Sequence, residues 1–85
     1  MPNGDSMITS GQIRAARGYL GITAEELANL AGVSRMTIVK AESMGPTETP
    51  PLNVSNLKAI EAALKNAGIN FGLAGEVGFK PQQPF

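Results

Sequence analysis

A chain of 85 residues and 8.8 kDa, with seven Lys+Arg set against seven Asp+Glu for a formal net charge of zero, has room for one small domain. Folding at this size hides only about 60% of the surface that the unfolded chain exposes, so the core must be economical and a deep substrate cavity is not expected. With no cysteine and no histidine, disulfide frameworks, thiolate metal sites, cysteine nucleophiles and the commonest general base and zinc ligand are excluded. No basic leader precedes a hydrophobic stretch, which predicts neither a signal peptide nor a membrane span and hence a cytoplasmic location. Zero net charge argues, taken alone, against a nucleic-acid partner, because such binders usually carry an excess of Lys and Arg.

Residues 1–7 are polar and turn-rich and are expected to form a flexible leader. Thr9 with Gln12 three residues on makes a capping box, and Ile8 and Ile13 a hydrophobic staple, so a helix begins here. Ile13, Ala16, Arg17 and Leu20 share its inner face, and Gly21 ends it. The pattern repeats at once: Ile22, Thr23, Glu26 and Leu27 open a second helix, Ala24 to Ala31, which Gly32 terminates. Ser34 caps a third, from Arg35 to Ser43, with Val33 and Ile38 as its staple and Gly45-Pro46 as its stop. The proline-rich loop GPTETPP leads to Asn53, the cap of a fourth helix that runs to about Asn66 with Val54, Leu57, Ile60 and Leu64 as its buried face. Gly68 reverses the chain. Beyond it Ile69, Phe71 and Leu73 alternate, then Val77 and Phe79, around a turn at Ala74-Gly75-Glu76, which reads as a β-hairpin over 69–80. The tail, 81–85, should be extended and mobile.

The two helices that meet at Gly32 have the spacing of a helix-turn-helix. Ala28 is small where the helices cross, Gly32 permits a positive φ in the tight turn, Leu27, Ala31 and Val33 face inward around it, and Ile38 plugs the second helix into the core. On these residues the stretch Ile13 to Glu42, with the helix after it, resembles the Cro and cI repressor type of DNA-binding domain, also called XRE-type. The match covers about two thirds of the chain. It implies a mainly α fold of four to five helices over residues 8–68, closed here by the hairpin. It also implies a structural ion pair between Arg17 and Glu42, which agrees with the need of a half-buried arginine for a partner.

In such domains the third helix lies in the major groove and the second crosses the backbone. The resemblance therefore implies base contacts from Arg35, Met36, Val39 and Lys40, and phosphate contacts from Thr23, Ala24, Ser34 and Thr37. Arg35 can bond guanine O6 and N7 as a fork, whereas Met36 can offer only apolar contact, for instance to a thymine methyl. Each has a plainer alternative: a solvated surface arginine, a gap-filling methionine, an exposed helical lysine. Residues 11–40 hold Arg14, Arg17, Arg35 and Lys40 against Glu25 and Glu26, so the excess of positive charge sits on the reading half. The loop GPTETPP contains no Lys or Arg to grip the backbone.

The ending AALKNAGINF, a glycine-containing turn and VGF also resembles that of a bacterial subgroup of these regulators. An isolated two-stranded hairpin is marginal in water, which leaves two alternatives. Either Ile69, Phe71, Leu73, Val77 and Phe79 build a homodimer, which could set two recognition helices one DNA turn (about 34 Å) apart, or the hairpin closes its own core. The expected partner is double-stranded operator DNA, with no cofactor, metal or membrane and no catalysis: Glu25 and Glu26 diverge around a helix, and no serine has a histidine to activate it. The competing reading is a protein-interaction module on the same scaffold, such as an antiactivator or antitoxin.

Overall fold

The computed structural model describes residues 8–72 and 75–80. The sequence expectations for the leader 1–7, for Leu73 and Ala74, and for the tail 81–85 lie outside the described residues. Four helices come first, α1 (Ser10–Leu20), α2 (Ala24–Ala31), α3 (Arg35–Ala41) and α4 (Val54–Asn66), and the strands β1 (Ile69–Phe71) and β2 (Val77–Phe79) follow. The fold is mainly α with a C-terminal hairpin, and the described residues hold four helices rather than five.

The helix starts form as the cap residues dictate. Thr9 Oγ1 accepts from the Gln12 amide at 3.1 Å while Gln12 Oε1 accepts from the Thr9 amide at 2.8 Å, and Thr23 and Glu26 repeat the exchange at 3.0 and 2.8 Å. Each box satisfies an orphan amide of the first turn and so fixes where the helix begins. Ser34 and Asn53 cap α3 and α4 by accepting from Thr37 N and Asn56 N. Gly21 and Gly32 end α1 and α2 in the left-handed region, at φ 66° and 72°.

Helix α3 stops at Ala41, two residues before the Ser43 that the sequence suggests. A further turn would need Met44 N to reach Lys40 O. Instead Ser43 Oγ donates to Lys40 O at 2.7 Å and Met44 N donates to Ser10 Oγ at 3.3 Å, so side-chain hydroxyls take both groups. The first turn of α4 also departs from expectation: Val54 is 54% exposed. Leu52, just ahead of the cap, packs on the core in its place, in the staple relation to Leu57.

The core joins all four helices and β1 through Ile8, Ile13, Ala16, Leu27, Ala28, Ile38, Ala41, Leu57, Ile60, Leu64 and Ile69. The hairpin is antiparallel, with Ile69 opposite Phe79 and Phe71 opposite Val77. Bonds from Lys80 N to Gly68 O at 2.8 Å and from Gly72 N to Glu76 O at 2.9 Å bracket the register, so these two pairs are the non-hydrogen-bonded kind and their side chains share one face. That face covers the helices. Ile69 is buried, Phe71 and Val77 pack against the core, and the Phe79 ring lies 6.4 Å from that of Tyr19. Three of the five side chains assigned to dimerisation, Ile69, Phe71 and Val77, thus pack on the chain's own interior, and Phe79, 37% exposed, lies at its edge beside Tyr19. The fifth, Leu73, lies outside the described residues.

Candidate nucleic-acid interface

Helices α2 and α3 are held at their turn by Val33 N donating to Ala28 O at 3.0 Å. Leu27, Ala28 and Ile38 are buried around that turn, with Ala31 and Val33 half-buried. At 3.6 residues per turn Arg35, Val39, Met36 and Lys40 fall, in that angular order, within about 140° of α3's circumference. All four are exposed, Met36 by 57% and Val39 by 41%, while Ile38 and Ala41 on the other side are buried. The four residues assigned to base contact therefore form one continuous outward face. Leu30, near the end of α2, is also exposed, by 59%; its spacing of three from the buried Leu27 points inward, so no periodic signal in the sequence marks it.

The four residues assigned to phosphate are brought together less cleanly. Ser34 Oγ lies 2.9 Å from Thr37 Oγ1 and also accepts from the Thr37 amide, so the two hydroxyls already serve each other. Thr23 N and Thr23 Oγ1 are committed to Glu26. Glu25 and Glu26 occupy the first turn of α2 beside Ala24, where their charge opposes an approaching phosphate.

The Arg17–Glu42 pair forms as a fork: Nε to Oε2 at 2.7 Å and Nη2 to Oε1 at 2.9 Å. Arg17 Nη1 also donates to Ile22 O at 3.0 Å, tying in the α1–α2 turn. The hydrogen bond to Glu42 raises the guanidinium's pKa above its ordinary value against the opposing effect of burial, and the charge of Glu42 adds to the rise. Arg14, which the sequence reading counts only as positive charge, donates from Nη1 to the backbone carbonyls of Glu42 and Met44. Two of the four cations of residues 11–40 are thus used inside the fold, and Arg35 and Lys40 supply the positive charge of the outward face. No residue type announces a carbonyl partner 28 or 30 positions away.

An open cavity of about 620 Å³ lies between α1, Pro46-Thr47 and the hairpin, and Tyr19 is the one titratable residue on its described wall. No helix among the described residues is long and apolar enough to cross a membrane. Comparison with models of known protein families and with curated protein sequences finds no match.

Proposed function

We propose that this protein is a sequence-specific DNA-binding transcriptional regulator of the XRE type, acting as a cytoplasmic homodimer that represses by occupying an operator. The carrying observation is the outward face of α3: Arg35, Met36, Val39 and Lys40 stand exposed together on a helix whose opposite side is locked into the core. A helix presented in this way offers a fork donor for guanine, a cation and two apolar groups for thymine methyls. With so few cations outside the fold, non-specific affinity is low, and useful binding depends on base contacts and on two copies acting together.

A fluorescence-anisotropy titration tests the reading, using duplexes from upstream of the protein's own coding sequence and duplexes that it selects from a randomised pool. Affinity falls as salt rises, and Arg35→Ala weakens binding to a selected duplex by about 1–3 kcal/mol while barely altering binding to unselected DNA. No binding to any of these duplexes at low salt, or an unchanged affinity in Arg35→Ala, overturns it. The exposed apolar pair Met36 and Val39 on that face favours the second reading, in which it docks on a protein; that reading predicts a salt-insensitive interaction with a polypeptide and none with DNA.

A further inference from the structure

One flank of α1 is given over to the far end of α3. Ser10, Arg14 and Arg17 stand at positions i, i+4 and i+7, within about 60° of one another around the helix. The buried Ser10 hydroxyl donates to Ala41 O at 2.6 Å and accepts from Met44 N at 3.3 Å. Arg14 Nη1 bonds the carbonyls of Glu42 and Met44, the second at 3.0 Å, and Arg17 holds the Glu42 carboxylate. The last turn of a helix leaves carbonyls without intrahelical partners and carries partial negative charge. Arg14 donates to the carbonyls of the C-cap residue Glu42 and of Met44 just beyond it, and brings the opposite charge to that end.

We propose that Arg14, assisted by Ser10, is a positioning residue: it sets the angle at which α3 presents Arg35, Met36, Val39 and Lys40, and it makes no contact with DNA itself. This inference rests on the DNA-binding reading above. The outward residues lie between two anchors, the Gly32 turn ahead of Arg35 and the clamp just beyond Lys40. Between them only Ile38 and the small Ala41 are buried from the seven-residue helix. Lys40 lies about 7.5 Å along the axis from Arg35, so a 10° tilt at the released end moves it by about 1.3 Å, whereas a binding constellation tolerates about 0.5 Å. The clamp therefore controls discrimination between duplexes, and a phosphate contact at Arg14 would instead control affinity for all of them.

The two roles separate in a salt series. Wild type, Arg14→Ala and Arg14→Gln are titrated by anisotropy against a duplex that wild type selects from a randomised pool and against the unselected pool, at a temperature where circular dichroism shows each fully folded. Arg14→Gln keeps one donor and carries the comparison if Arg14→Ala does not fold. The expected result is a loss of about tenfold on the selected duplex, little change on the unselected pool, an unaltered salt slope, and faster amide exchange at Glu42–Met44 with α2 still protected. Equal losses on both DNAs with a slope smaller by about one phosphate mark a direct contact and overturn the inference, as does an unchanged affinity. If wild type selects no duplex, the DNA-binding reading fails and the inference falls with it; any other failure is the inference's own.

Discussion

Two glycines with positive φ should answer very differently to the same added methyl group. Gly32 sits at φ 72° with nothing within 4 Å of where a Cβ would stand. Gly32→Ala therefore meets only the cost of a left-handed backbone, about 1–2 kcal/mol, offset by about 0.4–1 kcal/mol from stiffening the unfolded chain. The net is about 1 kcal/mol, a fall of about 4–8 °C in Tm for a domain of this size. Gly68 sits at φ 108°, and its Cβ would stand 2.6 Å from Lys80 O and 3.2 Å from the Phe79 ring. Relief requires the hairpin's open end to move. That weakens the Lys80 N to Gly68 O bond at 2.8 Å, about 1 kcal/mol, and uncovers part of Ile69, whose full burial is worth about 1.5–3 kcal/mol. With the backbone cost, Gly68→Ala should lose about 3–4 kcal/mol, enough to unfold much of a marginal domain at 37 °C. Thermal and urea unfolding followed by circular dichroism measure both. Gly32→Asn should be milder than Gly32→Ala, because asparagine visits the left-handed region, and Gly68→Asn should give no such relief. Equal costs at the two sites would refute the assignment of a steric role to Gly68.

Arg17→Met strands the Glu42 carboxylate, which is 12% exposed, and should cost about 1–3 kcal/mol in urea unfolding; the partial exposure of Arg17 holds this below the range for fully buried pairs. The double variant Arg17→Met/Glu42→Leu should cost less than the sum of the single changes, and strict additivity would mean the fork contributes nothing. Ser10→Ala removes the donor to Ala41 O and the acceptor of Met44 N at once; a loss of about 1–3 kcal/mol is expected, and a neutral result would count against the clamp. Because the folded-state pKa of Arg17 is raised, its contribution is fully present below the ordinary arginine value and is lost only as pH climbs beyond it. With no histidine in the chain, Tm should stay nearly flat between about pH 6 and 9, and a steep change within that window would contradict this.

Local signals carried most of the secondary structure. Thr9 with Gln12 and Thr23 with Glu26 announce two helix starts, since cap chemistry needs only residues three apart, and Gly21, Gly32 and Gly68 mark reversals that other side chains resist. The fork between Arg17 and Glu42 came from family resemblance, supported by the cost of a lone charge on an apolar face. What stayed hidden depends on distant partners. Val54 has the right period for burial and lacks a surface to meet, because Leu52 fills that place. Arg14 reads as a spare cation because its partners are peptide carbonyls, present at every position of every sequence. The hairpin's alternation was plain, but alternation does not say which body covers the apolar face, and here it is the chain's own helices.

The clamp on α3 addresses main-chain groups of Ala41, Glu42 and Met44 and a single side chain, Glu42. It therefore imposes nothing on the identity of residues 35, 36, 39 or 40. Substitutions at those four positions leave both the anchors and the interior as they were, so the outward face can be rewritten almost freely while the support stays constant. Descendants of such a chain could diverge in what they recognise by a handful of point changes, none of which first has to be rescued by a stabilising one.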